Sequence, residues 1–569
     1  MGKVRYKNFD QLSIADLLVY QSIPPHPFWD RVSEVIDFSF ADKICEPLYS
    51  SMGQRPYAPS LKLKIHLIQR YYNISDREME LKIIGDIFVK RFLGLPVTHN
   101  RFDHSTIGLD RDRLGAEMFH AYHVFILAQA LAKGLWGQED DRWLVDSFHT
   151  NAKVSTPGAY EMIQQAAKLI LQHVEKKNPT QHEHLTAEMN LTEFSCTLKN
   201  TMSKKERSLA FSKLVVLSYG LVAWMRRLSE DNQFPWESEE ERQKSEGHCE
   251  VLLRVLRENT TEAPHDDDPR PENKAESQES SADSPEMSID AEQKTLKYIE
   301  LPKNEKPTDC IVNVFDPEIR AGSKSARKSF IGDKVQVVES WKHRLILLAE
   351  PIAGNEPDGE ALFSLVQSIV EEFDKKPSEI LADKGYSWGR NYEKLLAKKL
   401  RLTTPFPKVV NPVGKMPNHQ FKYSPEEKQV TCPAGHTTSW RTYIKAAEGT
   451  QYKFPKATCD ACPLREQCTT SATNSTVGRT VFFSDYWEIL QAVQAYLETP
   501  EGREALRNRY EIERTNNEMK RHHGLREPRT RGRHKLRTTV KLTGMVVNLK
   551  RMVQAISKPP ETTKAPVCE

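Results

Sequence analysis

A mixed α/β domain behind a helical one is the fold class predicted by this sequence of 569 residues, and three observations predict it. Residues from about 10 to 140 read as helical, with apolar positions at helix spacing. After residue 308, short apolar runs come first, and helix-patterned stretches then alternate with further short runs. That is the order of a sheet begun by neighbouring strands and finished by helix crossovers. Third, Leu144-Val145-Asp146 and Ile380-Leu381-Ala382-Asp383 each end an apolar run on an Asp and break into polar residues, as buried strands do when they carry a carboxylate to a sheet edge.

In chain order, Ala58-Pro59-Ser60 starts a helix continuing through Leu61, Leu63, Ile65, Leu67 and Ile68, and Ser75 three residues before Glu78 forms a capping box. A further helix is expected from about Gly115 to Lys133. Behind Asp146 lies an insertion with amphipathic helices over 158–176 and 203–230; Ile163, Ala167, Ile170 and Val174 share one face of the first. Residues 231–295 turn acidic and rich in Ser and Pro, with eleven acids against two basic residues between Glu262 and Glu292. Low hydrophobicity and high charge predict a disordered linker, which accounts for His265-Asp266-Asp267-Asp268 without a metal. Strands are expected at Ile311 to Asp316, Lys334 to Val338 and Leu345 to Ala349, together a meander. A helix opening at 355–358 and ending near Phe373, the strand before Asp383, a helix near Asn391 to Lys399 and a short strand around Leu402 follow.

The stretch Arg509 to Lys520 lies in a run from Gly502 to His523 without Pro, so helix is expected. On one helix Arg509, Glu513 and Lys520 project from a common face. Taken alone, such a face is a solvated surface with intrahelical ion pairs. Two strand-end carboxylates and a helix-borne Glu in one domain could instead gather two divalent cations.

These three segments resemble the Asp-Asp-Glu transposases of bacterial insertion sequences, whose catalytic domain has a ribonuclease H-like fold. Asp146 matches the first acid, Asp383 in Ala-Asp-Lys-Gly-Tyr the second, and Glu513 the third. The family pattern around the third acid is Tyr, two residues, Arg, three residues, Glu, six residues, Lys. Arg509, Glu513 and Lys520 stand at its positions, with Leu506 in the place of Tyr and Tyr510 out of register. Asp316 is a rival for the first acid, and the resemblance favours Asp146. It implies a ribonuclease H-like mixed sheet, a helical N-terminal domain that binds the element's terminal repeats, a homodimer that pairs two DNA ends, and residence with nucleoid DNA in the bacterial cytoplasm.

The expected division is 1–138, helical and DNA-binding; 139–157 with 308–425, the first part of the catalytic core; 158–307, the insertion, helical and then disordered; 426–475, a Cys-rich insertion; 476–555, the rest of the core with its closing helix over Val540 to Met552; and 556–569, a disordered tail.

Cys432, Cys459, Cys462 and Cys468, one CxxC pair and two further thiols within 37 residues, are compatible with tetrahedral structural zinc, with His436 as a substitute ligand. Unligated thiols are the alternative. Nine Cys without an export signal argue against a disulfide framework. No run of about eighteen apolar residues occurs, so a cytosolic protein without a membrane partner is expected.

The formal net charge of +3 hides segregation: Arg514 to Arg551 holds twelve Lys and Arg against two acids. A basic end of this kind suits a polyanion, and Arg529, Arg531, Arg533 and Lys535, with Arg509 and Lys520, are the candidate contacts to double-stranded DNA. Carboxylate-only ligands favour Mg²⁺ or Mn²⁺, and two such ions about 3.5 to 4 Å apart activate the attacking oxygen and stabilise the leaving one in phosphodiester cleavage. Metal-dependent cleavage at insertion-sequence ends followed by strand transfer is the expected function. A nuclease without strand transfer and a noncatalytic DNA-binding protein that kept the fold are the alternatives.

Overall fold

The computed structural model describes residues 4–7, 9, 12–50, 52–230, 238–263, 296–325, 327–405, 414–470 and 476–557. Its centre is a six-stranded mixed sheet: β1 (Arg142–His149), β2 (Arg320–Ser325), β3 (Lys328–Ser340), β4 (Ile346–Ala353), β5 (Glu379–Ala382) and β6 (Leu402–Thr403). The order is β2-β3-β1-β5-β6, and β4 also pairs with the long β3. β1 runs antiparallel to β3 and parallel to β5, and β5 parallel to β6. A hairpin-connected half joined to a crossover-connected half fits a ribonuclease H-like core in general.

The meander differs from the expected one. Ile311 to Asp316 form turns rather than a strand. Ile311 and Val314 are apolar because they seal the core of the insertion, where the Ile311 amide donates to Glu258 at 2.7 Å. The place beside β3 is taken by Arg320–Ser325, a polar segment held there by hairpin geometry. The two crossover helices are Leu362–Phe373 and Gly389–Ala397.

Helices Pro59–Tyr72 and Asp76–Gly85 form as expected, the second with the Ser75/Glu78 capping box. Helix Ser105–Ala132 starts earlier than Gly115, which instead marks a kink at φ 64°. These helices and the closing helix Arg533–Ser557 share one continuous apolar core, from Trp29 through Leu127 and Leu347 to Met552. Edge strand β4 is sealed by the same helices: Asn548 accepts from the Ile346 amide at 2.7 Å and donates to its carbonyl at 2.9 Å, and His123 reaches that carbonyl at 3.0 Å. An edge that offered free backbone groups is thereby closed to further pairing.

The insertion packs as a unit of its own from Ala159–Lys177, Pro179–Glu188, Lys204–Glu230 and Glu239–Asn259. The last of these falls inside the stretch read as linker. Cys249, Leu252, Val255 and Leu256 give it a buried stripe, while Glu239, Glu240, Glu246 and Glu250 face water and Glu258 is buried on the Ile311 amide. Residues 231–237 and 264–295, with the Asp cluster, lie outside the described residues, as do 558–569 of the expected tail. Contrary to the reading that no sufficiently apolar stretch occurs, Lys204–Glu230 is long and apolar enough by length and composition to cross a membrane. Its Phe211, Leu214, Val215, Leu221 and Val222 are buried in the insertion's core, the arrangement of a soluble core helix, so the feature is weak evidence for a span.

Candidate active site

Register brings the first two acids together. Val145 pairs with Ala382 across parallel strands β1 and β5, so Asp146 and Asp383 follow at the same level of adjacent strands. Side chains alternate along strands, so Asp146 shares its face with Leu144 and Phe148, and Asp383 with Leu381. Those three apolar residues pack with Ile512 and Met519 of helix Ile512–Arg521, which therefore covers the face that bears both acids.

The run from 502 to 523 is not one helix. Pro500–Asn508 ends in a 3₁₀ turn at Arg509–Glu511 before Ile512–Arg521 begins. The turn breaks the shared face expected of Arg509 and Glu513. Arg509 is drawn instead to Asp383, Nη1 to Oδ1 at 2.9 Å, and stacks over the Tyr510 ring at 4.2 Å. Glu513 is exposed in the first turn of its helix. Lys520 is half-buried, its ammonium 5.6 Å from the Phe148 ring centroid. Burial and Lys324 lower its pKa, against the charges of Asp146 and Glu513, so all four groups share one electrostatic neighbourhood.

Asp146 is largely desolvated, and burial is the main reason its pKa is pushed up to about 6. The Ser147 amide and Arg509 oppose the shift, while Asp383 and Asp358 add to it. Two residues absent from the sequence reading belong to this site. Asn516 donates Nδ2 to Asp146 Oδ2 at 2.9 Å. Lying three positions after Glu513 on a helix, it was findable as the next side chain on that face. Asp358 sits in the loop before Leu362–Phe373, paired with Lys334 at 3.1 Å, and no local pattern signals it.

Among the described residues no group of three or more His, Cys, Asp or Glu side chains is placed to hold a metal ion. The acids are gathered on one face without converging on a common point. A desolvated carboxylate repelled by two others, beside an acid already paired with a guanidinium, is nevertheless a donor set that fits divalent cations. The rival Asp316 lies elsewhere, accepting from the Gly532 amide at 3.2 Å.

The four candidate zinc thiols line one small pocket with His436, walled by Phe421 and Phe454 of a compact β-rich module. Burial raises the Cys459 and Cys468 pKa values, and the nearby thiols Cys432 and Cys462 add to both shifts. Four thiols facing one pocket fit a soft tetrahedral cation by donor type.

The basic tract divides in two. Arg529 and Arg531 are exposed. Arg533 is engaged by the protein itself, its Nε 3.0 Å from Asp333 and its Nη2 donating to the Glu318 carbonyl at 2.7 Å. Lys535 lies 3.8 Å from Asp112.

Two family models match the chain: a Transposase DDE domain over residues 431–553 and a Transposase domain (DUF772) over residues 18–113. The first spans Glu513 and the four thiols; neither spans Asp146 or Asp383. No curated protein and no solved structure matches the chain.

Because folding raises the Asp146 pKa, the folded state holds that proton more tightly than the unfolded chain. The resulting penalty is absent below about pH 4, grows as pH rises, and is complete above about pH 6. Asp146→Asn is expected to stabilise the protein at about pH 8 by up to ~2 kcal/mol and to change little near pH 4. Paired thermal melts check this; a variant less stable than its parent at the higher pH would show that Asp146 carries no such penalty.

Proposed function

Starting from an insertion-sequence DDE transposase, which the two family matches indicate, we propose that Asp146, Asp383 and Glu513 form a metal-dependent site for cleaving DNA at the element's ends and joining it to target DNA. The observation that carries the reading is the in-register placement of Asp146 and Asp383 under the helix that bears Glu513. When bound, a pair of Mg²⁺ or Mn²⁺ ions supplies activation of the attacking oxygen and stabilisation of the departing 3′-oxygen.

The chain's own residues do the rest. The three carboxylates hold the cations, and Asn516 fixes the Asp146 carboxylate through its 2.9 Å hydrogen bond. Arg509, nearly buried, restrains Asp383 and offers a guanidinium for a phosphate as the acid turns to the metal. Lys520 sets a cation beside the reacting phosphate. In the first step water forms the new P–O bond and the 3′-oxygen of the element end leaves as a hydroxyl. In the second that hydroxyl attacks a target phosphodiester and displaces its 3′-oxygen. The number of P–O bonds is conserved, so no energy cofactor is consumed. Arg529 and Arg531, with Lys535, bind the duplex backbone, which makes affinity fall steeply with salt. The helical domain binds the terminal repeats, two chains pair two ends, and the protein works at the nucleoid in the bacterial cytoplasm. The Cys432, Cys459, Cys462 and Cys468 thiolates hold a structural zinc that staples the module between the second and third acids.

With Mg²⁺ and a labelled insertion-end duplex, the intact protein is expected to yield cleaved and joined products, and Glu513→Gln neither. Cleavage without joining would identify a nuclease, and duplex binding without either product a noncatalytic protein. Metal analysis of the purified chain is expected to find about one zinc, lost in Cys459→Ser; a parent without zinc would remove the staple from the account.

A further inference from the structure

β3 is longer than the sheet it belongs to. Its second half pairs with β1 and β4, whereas residues Lys328–Gly332 pair with β2 and extend past the carboxyl end of β1. The β2–β3 hairpin thus projects from the end of the sheet that carries Asp146. Its tip bears Lys324, Arg327 and Lys328, all exposed and none with an ion-pair partner among the described residues. Three cations nearer its base are neutralised, by contrast: Arg320 by Asp309, Lys153 by Glu527, Arg533 by Asp333. Three unpaired cations on one turn repel one another, and that cost is relieved by a polyanion.

The arm is held at its base by backbone rather than by adaptable side chains. A Cβ on Gly332 would lie 2.1 Å from the Thr150 carbonyl oxygen, one on Gly322 2.4 Å from the Gly354 carbonyl oxygen, and one on Gly354 2.3 Å from that of Gly332. Thr150 and Ala152 continue the ladder by donating to Asp333 and Ile331, each at 2.8 Å, and His149 packs on Phe330 with centroids 4.8 Å apart. The arm therefore has a fixed direction. Lys324 on it is close enough to Lys520 and His149 to depress the pKa of each, and Arg526 acts on His149 as well. The basic surface is thus continuous from the hairpin to the residues beside Asp146.

We infer that the β2–β3 hairpin is a DNA-contacting arm, with Lys324, Arg327 and Lys328 seated on the phosphate backbone of the duplex whose end is processed at Asp146. This rests on the transposase reading above. Asp146 pairs with Val337 and His149 with Lys334, so the tip at Lys328 lies six to nine residues farther along β3. At about 3.3 Å per residue the arm spans roughly 20 to 30 Å, which reaches phosphates about six to nine nucleotides from the reacting one.

The test is duplex binding by the full chain, measured by fluorescence anisotropy over a salt series with metal omitted, for the parent and the triple variant K324Q/R327Q/K328Q. Three lost phosphate contacts should weaken binding by about tenfold or more and flatten the slope of log K against log salt by roughly 2 to 3. As a second measurement, Lys328→Cys carrying a photoreactive group should crosslink to the duplex about six to nine nucleotides from its processed end. Unchanged affinity and slope in the triple variant, with the parent binding normally, would overturn the arm and leave the transposase reading standing. So would weaker binding with an unchanged slope and no crosslink, since that is the signature of a damaged fold. A parent that binds no duplex would overturn both.

Discussion

The parallel pairing of β1 with β5 is the constraint on which the rest depends. One register, Val145 against Ala382, places two carboxylates side by side, Asp383 just past the end of β5 and Asp146 within β1, which runs on to His149 rather than ending at the acid as expected. A slip of one residue would turn Asp146 to the opposite face, among the apolar residues that join Trp143 and Val145 to the helical core. The register is enforced from both faces: Val145 and Ala382 belong to the large core beneath, Leu144 and Leu381 to the smaller one under helix Ile512–Arg521. The packing that stabilises the sheet therefore also fixes the acids, and holds them where their charges are unfavourable. Arg509 on Asp383 and Asn516 on Asp146 offset part of that cost.

A second consequence is mechanical. The N-terminal helices do not stand apart from the sheet; helix Ser105–Ala132 and the closing helix cover β4 together, and the Arg70 guanidinium donates to the His523 carbonyl. Helices Pro59–Tyr72 and Ser105–Ala132 are thereby held at a fixed position relative to the helix of Glu513. The insertion has its own core, and its Ile311–Val314 segment leads directly into β2.

Much of this was legible in sequence where local pattern and tertiary role coincide. The apolar runs before Asp146 and Asp383 identified strands because both faces of those strands are buried, and the Ser75/Glu78 cap is a wholly local interaction. Reading failed where context outweighed pattern. Ile311 to Asp316 looked like a strand because Ile311 and Val314 are apolar for another reason, and the strand at Arg320–Ser325 went unassigned because edge pairing needs no apolar side chains. The helix Glu239–Asn259 was hidden by the acidic stretch around it, although Leu252, Val255 and Leu256 carry its stripe. At the site, Asn516 was within reach of helical spacing. Asp358 was not, since a loop residue brought in by tertiary folding leaves no periodic trace. Nor could helix propensity disclose the 3₁₀ turn that sends Arg509 to Asp383.

The central claim is that the three acids act as one metal site. Calorimetric titration of Mn²⁺ into the parent and into Asp146→Asn, Asp383→Asn and Glu513→Gln tests it most directly. The account predicts saturable binding by the parent and a large loss of affinity in each variant, with the protein still folded. Parental affinity in Glu513→Gln would contradict it, since the helix-borne acid would then lie outside any site formed by Asp146 and Asp383.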